Sequence, residues 1–433
     1  MNEVASETAP ATARRSLWRH SDYMRIWIAA TVSLMGSQVS QLEIPFIAAV
    51  ILDCSPLEVA LLGTVEMAPF VLFTLPAGAW LDRVRRRPVL IAGDFGRGLA
   101  LLTIPIAYAA GALTIWQLYA VGFVTGSLTV FFDVADQSYL PALLERQDLV
   151  EGNAKLSLSQ SGAQILGPGF AGGLIGLVGA PFSVIADAVS FFFSGGLISL
   201  IRKTEPKPER RVASDGSYTS LRQEIAEGLR YVVGSRHLRM IAGSTATSNL
   251  GTSIAFATFP IFAYRELGLS VALVGTVFSL GALGVLLGAV VSPGLSKRIG
   301  VGPAIVASMF LGGPATILIA LMPTHVPMAA ALLFGSVFLS GLSAVVYNVN
   351  QVSFRQAITP LDMQGRMNAT MRFVVWGTLP VGSLAGGVLA SFLPVRTTIA
   401  IGAAVAATAF LWVLFSPVRS LREIPKDDIA HPS

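Results

Sequence analysis

Residues 78–87 read Gly78-Ala79-Trp80-Leu81-Asp82-Arg83-Val84-Arg85-Arg86-Arg87. This charged island lies between two apolar runs, 57–80 and 89–110. Each run matches the roughly 20 residues a helix needs to cross the hydrocarbon core of a bilayer. The pattern continues outward on both sides. Apolar runs broken by Gly, Pro or charge fall at 24–51, 113–135, 155–178 and 181–201, then at 238–262, 270–296, 301–322, 326–350, 368–393 and 396–416. Twelve transmembrane helices are therefore predicted, in an all-α membrane protein. Composition agrees. Of the 433 residues, 53% are hydrophobic and only 13% are charged, too little polar surface to clothe soluble domains of this size.

The formal charge of +5 could point to a nucleic-acid partner, so the placement of the basic residues decides. Arg14, Arg15, Arg19 and Arg25 precede or open the first run, Arg83, Arg85, Arg86 and Arg87 follow the second, and Lys297 and Arg298 follow the eighth. The stretch from Arg202 to Arg239 adds nine more, while the opposite side offers only Arg265 and Arg396. That asymmetry is the positive-inside pattern. It places both termini in the cytoplasm and makes the lipid bilayer, not nucleic acid, the partner of the basic loops. The expected location is the bacterial cytoplasmic (inner) membrane. Cys54 is the only cysteine, so no intrachain disulfide can form. Met1 to Ala13 lack the apolar core of a cleavable signal and read as a disordered cytoplasmic tail.

The only long polar stretch lies between the sixth and seventh spans. Inside it Leu221, Ile225, Leu229 and Val232 recur at helical spacing, with Arg222, Glu224 and Arg230 elsewhere, which predicts a helix along the membrane surface. A shift of 215 residues across this stretch brings Asn153-Ala154 onto Asn368-Ala369, Gly167 onto Gly382, Ala171 onto Gly386, Gly172 onto Gly387 and Asp82 onto Lys297. The chain is thus read as a parallel repeat of two six-helix halves. Its expected parts are an N-terminal tail (1–23), a first half (24–201), a linker (202–237), a second half (238–416) and a C-terminal tail (417–433).

These features resemble the major facilitator superfamily, and within it the branch containing macrolide-efflux and enterobactin-efflux proteins. Residues Gly78 to Arg87 are similar to the superfamily's Gly-x-x-x-Asp-Arg-x-x-Arg-Arg loop. Asp94 with Arg97, and Gly365-Arg366-Met367-Asn368-Ala369, match the exporter branch. The Gly-Asp pair common in span 1 of that branch is absent, because Gly36 is followed by Ser37 and Gln38. A proton role attached to that Asp therefore does not carry over. The resemblance implies a transporter that exports a small amphipathic molecule such as a macrolide, and proton-coupled antiport is expected from the buried carboxylates considered below. A siderophore, a lipid or another metabolite is the alternative cargo, and a non-transporting sensor is the remote one.

Asp82 reads as half of a latch: Gly78 permits close helix approach, and the carboxylate can face the N-terminus of span 11 near Arg366 and Asn368 while the cytoplasmic side is closed. Arg83, Arg86 and Arg87 are read as loop anchors or as partners of Asp133 and Asp136. Asp94 and Arg97, three apart on one helix, can pair with each other. Deeper charges are costly in a bilayer, about 2.5 to 3.5 kcal/mol each on insertion scales. Glu66, Glu43 and Asp187 are therefore proton-coupling candidates in that order, against the alternative that each hydrogen-bonds neighbouring helices. Gln38, Gln41, Asn249, Asn348 and Asn350 are candidates to meet substrate in a central cavity, or else helix bridges. Gly167-Pro168-Gly169-Phe170-Ala171-Gly172 fits a dinucleotide pattern by letter, but it lies inside an apolar span with no preceding strand. Gly167, Pro168, Gly172, Gly382, Gly386 and Gly387 are instead read as packing positions.

No phosphate-cradling loop points to an ATP-driven pump. His20, His237, His325 and His431 form no metal spacing, and no Gly-x-Ser-x-Gly turn appears. No cofactor or metal is expected, an enzyme is not expected, and the protein is expected to act as a monomer.

Overall fold

The computed structural model describes residues 17–81, 84–145, 148–203, 205, 221–360 and 363–422. Asp82 and Arg83 lie outside the described residues, as do most of both tails, the polar stretch 206–220 and the side chains of residues 221–225. Among the described residues every regular element is a helix. The first half contains α1 (Ser21–Phe46), α2 (Pro56–Leu81), α3 (Arg86–Ala109), α4 (Ile115–Leu143), α5 (Leu149–Val178) and α6 (Ala180–Ser199). After α7 (Leu221–Gly234), the second half contains α8 (Arg236–Ala257), α9 (Val271–Gly281), α10 (Leu283–Ile299), α11 (Val301–Ala315), α12 (Ile317–Ala320), α13 (Val326–Ala357), α14 (Gln364–Phe392) and α15 (Val395–Leu414). Helices dominate because a lipid environment offers no partner to an unpaired backbone N–H or C=O.

Eleven of the described helical segments are long and apolar enough to cross a membrane, with α9–α10 and α11–α12 each forming one span. The remaining expected span, 238–262, corresponds to α8. Its polar content, including His237, Arg239, Ser244, Thr245 and Asn249, holds its hydropathy down. It nevertheless packs on α14 and α15 as α1 packs on α5 and α6.

The 215-residue register extends far beyond the residues that revealed it. Ser21 and Arg236, Pro56 and Val271, Arg86 and Val301, Leu149 and Gln364, and Ala180 and Val395 are all helix starts. Even the distortions repeat. Pro45 and Pro260 precede π-helical turns at Ile47–Ile51 and Ile261–Glu266.

The apolar core shows how the halves meet. At the end bearing the basic loops, the buried residues form two separate clusters. One gathers Leu17, Tyr23, Leu90 and Tyr139 from the first half, and the other Leu238, Ile305, Phe354 and Met367 from the second. At the opposite end a single cluster runs through both halves, from Ile47 and Val184 to Phe262 and Ile399. The halves are joined at one end and parted at the other.

Glycines set that junction. A methyl group placed on Gly172 of α5 would lie 2.8 Å from the carbonyl oxygen of Val271 at the start of α9. On Gly387 of α14 it would meet Ala60 of α2 at 2.5 Å. Gly275 of α9 presses in the same way on the Pro168 carbonyl of α5. Gly167 packs against Gln38 of α1, and its repeat Gly382 against Leu250 of α8, while Gly386 meets Ile254. Small residues serve here because lipid gives helices no hydrophobic drive to associate, so contact depends on close van der Waals approach.

These contacts predict opposite outcomes for neighbouring substitutions. Gly173→Ala, whose new methyl meets nothing within 4 Å, gains up to about 1 kcal/mol of helix propensity. Gly172→Ala forces the α5–α9 contact apart and costs about 1 to 3 kcal/mol. Thermal unfolding of the purified protein in detergent should show an unchanged or raised midpoint for the first and a midpoint several degrees lower for the second.

Candidate functional site

Where the halves part, a cavity of about 720 Å³ opens between α2, α8, α13 and α14 toward the basic end. Phe70, Val71 and Thr74 line it from α2 and Thr245 from α8. From α13 come Asn348, Gln351, Val352 and Arg355, and from α14 Asn368, Met371, Arg372, Val375 and Trp376. The Phe70 and Trp376 rings meet edge to face at 5.8 Å, bridging the halves at the cavity wall. Arg372 lies 5.1 Å from the Trp376 ring centre. A concave, largely apolar chamber with a few polar groups is the usual form of a small-molecule site.

Of the polar residues expected in a central cavity, only Asn348 lines this one. Asn350 is buried and turned away: its amide donates to Ser292 Oγ at 3.2 Å, and Ser296 Oγ donates to it at 2.6 Å, tying α13 to α10. Asn249 donates to the Val375 carbonyl at 3.1 Å and bridges α8 to α14. Gln38 packs against Gly167, and Gln41 is exposed outside the lining. Apolar helices carry little amphipathic signal, so their sequence does not reveal which face meets the cavity. Thr245, Arg355, Arg372 and Trp376 escaped the sequence reading. The available signal was a pair of arginines inside the ends of two apolar helices with no acidic residue at helical spacing.

The carboxylates separate into distinct settings. Glu43 is fully buried and accepts from the Val184 N–H at 3.1 Å, joining α1 to α6. Asp187 accepts from Ser40 at 2.5 Å and from Ser190 at 3.2 Å, and Gly36 makes room for it. Both bridge helices within the first half. Glu66 is half-buried in α2 against Gly122 of α4, with no hydrogen bond or ion pair among the described residues.

The expected gating residues are only partly brought together. Arg97 pairs with Asp94 at 2.5 Å, with its guanidinium between the Phe132 and Phe191 rings at 4.3 and 4.2 Å. Matching a buried charge with a counter-charge and ring faces offsets its desolvation. Asp133 and Asp136 sit within electrostatic reach of Arg97 but do not pair with Arg86 or Arg87. Those arginines have another partner. The buried carboxylate of Glu205 accepts from the backbone N–H groups of Arg86 and Arg87 at 2.8 and 3.1 Å and from the Arg86 guanidinium at 3.1 Å. A carboxylate at a helix N-terminus faces the positive end of the dipole, so Glu205 stabilises the start of α3. Arg87 also donates to the Ser199 carbonyl at 2.5 Å at the end of α6.

At the start of α14, Arg366 pairs with Glu227 of α7 at 2.6 Å, and Gly228 of α7 packs on Arg366 and Thr370. The linker helix therefore docks on the second half through Val232, which is buried, while Leu229 stays exposed. A methyl group on Gly78 would meet nothing within 4 Å, so that glycine makes no close helix contact with the basic end open.

The opposite end is shut. The two π-helical turns pack on one another, and Phe46 meets Tyr264 edge to face at 5.0 Å. Arg265 pairs with Asp53 at 2.9 Å and donates to the Ala49 carbonyl. The first half thus receives a cross-link from the residue that sequence reading treated only as a loop charge.

Comparison with known proteins adds a family. The sequence model described as Major Facilitator Superfamily matches residues 26–377 and 241–430. The chain is 26% identical over 360 residues to the multidrug efflux pump Tap of Mycolicibacterium fortuitum, taking in 79% of this chain and 83% of that one. To the Tap pump of Mycobacterium tuberculosis strain H37Rv it is 24% identical over 423 residues, covering 94% and 96%. Its 24% match to YkuC of Bacillus subtilis, an uncharacterised MFS-type transporter, spans 51% of this chain and about half (52%) of that one. Among solved structures, the nucleoside transporter NupG superposes with a TM-score of 0.69 at 13% identity, over 91% of this chain and 99% of that one. A bacterial homologue of the iron transporter ferroportin, in its inward-facing state, superposes with 0.68 at 17% identity, over 92% and 99%.

The shut end can be probed through its own cysteine. Cys54 is only 6% exposed beside Asp53. An exposed ion pair contributes about 1 kcal/mol or less, so Arg265→Ala should raise the rate of Cys54 alkylation by a membrane-impermeant maleimide by up to about fivefold. An unchanged rate would show that Arg265 does not hold this end.

Proposed function

This chain belongs to the major facilitator superfamily, and from that premise we propose that it exports small amphipathic molecules from the bacterial cytoplasm by alternating access, exchanging them for protons. It is a multi-pass membrane transporter and not an enzyme. The observation that carries the proposal is the asymmetric junction: one apolar cluster through both halves at one end, two clusters and a 720 Å³ cavity at the other. With the basic loops cytoplasmic, this is the state that loads cargo from inside. The Tap pumps, similar along most of their length, support export.

In the outward-opening state the basic end closes and the start of α14 approaches the end of α2, which gives Asp82 a helix N-terminus to face. Opening the other end separates the paired π turns and breaks the Arg265 cross-link. The protein performs this cycle as a monomer, with the central cavity between the halves of one chain.

Proton exchange needs a carboxyl group that is not committed to helix bridging. Asp187 is committed through both oxygens and Glu43 through Oε1, its Oε2 having no partner among the described residues, whereas Glu66, in α2, has neither a hydrogen bond nor an ion partner among them. Because α2 forms part of the junction with α14, the environment of Glu66 changes as the halves rock. A carboxyl in such a place binds a proton in one state and releases it in the other.

Accumulation of a panel of radiolabelled and fluorescent drugs in efflux-deficient cells tests this reading. Expressed wild-type protein should lower accumulation of at least one compound. An uncoupler and Glu66→Gln should each abolish the effect, and Asp82→Asn should reduce it. Efflux that survives both the uncoupler and Glu66→Gln rules out proton coupling through Glu66. No change for any compound, with the protein present in the membrane, rules out export of these drugs.

A further inference from the structure

The cavity has an unbalanced charge, and we propose that Arg355 and Arg372 form the binding site for an anionic group, so that the cargo is an amphipathic molecule bearing a carboxylate, sulfonate or phosphate. This rests on the transporter reading above and names the substrate class of that same cavity. Both arginines line the cavity, and among the described residues no aspartate or glutamate does. Among the described residues neither guanidinium takes part in an ion pair. Asp133 of α4 acts on Arg372 electrostatically but forms no ion pair with it. Arg97 shows the contrasting case, with its carboxylate at 2.5 Å and two rings around it.

Guanidinium groups in a low-dielectric chamber bind anions strongly, because each presents donors in a fixed planar fork that matches a carboxylate or phosphate. The donors here are unspent. Arg355 Nε is buried without a hydrogen-bond partner among the described residues. Gln351, one turn earlier on α13 and only 5% exposed, also leaves Oε1 without a partner, while its Nε2 donates to Asn348 at 3.2 Å. The wall therefore offers donors for an anion and one acceptor for a hydroxyl or amide of the same molecule. Trp376, under Arg372, and Phe70 supply the aromatic surface for its apolar body.

The test uses 5-carboxyfluorescein and rhodamine 123, which share a xanthene ring system and carry opposite charge. Binding to the full chain in phosphatidylcholine nanodiscs is read by fluorescence anisotropy. Wild-type protein should bind carboxyfluorescein more tightly than rhodamine 123. Arg355→Gln and Arg372→Gln should each weaken carboxyfluorescein binding by roughly tenfold to a hundredfold without weakening rhodamine 123, and Arg372→Lys should retain part of it. Unchanged melting of each variant guards against loss of fold. Competition by added phosphatidylglycerol would identify a lipid headgroup as the anion, and its absence a soluble cargo. Equal or tighter rhodamine 123 binding in wild type, no response to the Gln substitutions, or no binding of either dye overturns the proposal. Cellular efflux separates this from the export reading: rhodamine 123 efflux without carboxyfluorescein binding overturns the anion site alone, whereas carboxyfluorescein binding without efflux of any compound overturns export alone.

Discussion

The close approach of α5 to α9 and of α14 to α2 is the constraint on which the architecture depends. It requires a missing side chain at Gly172, Gly275 and Gly387, because each lies against backbone or a Cβ of the facing helix. Since Gly172 and Gly387 are equivalent in the repeat, the same contact is made twice, once for each half. Two symmetric seams at one end leave the other end free to part, and the cavity follows from that geometry. A uniform seam along the full length of the helices would make a bundle with no chamber.

Charge is distributed to suit this division. Inside the first half, buried charges are matched: Asp94 by Arg97, and Glu205 by the start of α3. Glu43 and Asp187 meet hydrogen-bond donors from neighbouring helices. The unmatched cations, Arg355 and Arg372, face the cavity. Matched charges add to the stiffness of a half, while unmatched ones are available to cargo. The exposed Arg265–Asp53 pair belongs to neither group. Its aspartate is 87% exposed, so its Coulomb contribution is small and the apolar cluster beside it does most of the closing.

Much of the fold was legible because membrane spans announce themselves by length, and because the repeat survives in backbone-critical positions. The glycines of α5 and α14 could be aligned from sequence, and the same register proves to govern five of the six paired helix starts, α4 and α13 being offset by four residues. Pro45 and Pro260 carried the π-turn signal, but a proline in an apolar span has too many uses to mark one. The polar lining of the cavity was less legible. Asn350 sits on a helix that is apolar along most of its length, and Thr245 on one whose hydroxyl and amide residues are spread around it, so spacing could not tell a bridge from a lining group. Arg355 and Arg372 lie near the ends of their helices, where basic residues ordinarily report topology. Glu205 was hidden for a different reason: besides the Arg86 guanidinium, 119 residues away, its partners are backbone N–H groups, and no side-chain complementarity identifies those in advance.

Alternating access through this junction is most directly tested by distances measured at both ends of the molecule. Spin labels at the exposed positions Val150 and Ile299 span the halves at the basic end, and labels at Leu177 and Phe392 span them at the other, each pair in a Cys54→Ser background. Pulsed electron-electron resonance in nanodiscs, at neutral and acidic pH and with a transported compound, should show two populations that change reciprocally: as the 150–299 distance shortens, the 177–392 distance lengthens. Fixed distances at both ends under every condition, or two distances that lengthen together, would contradict the account.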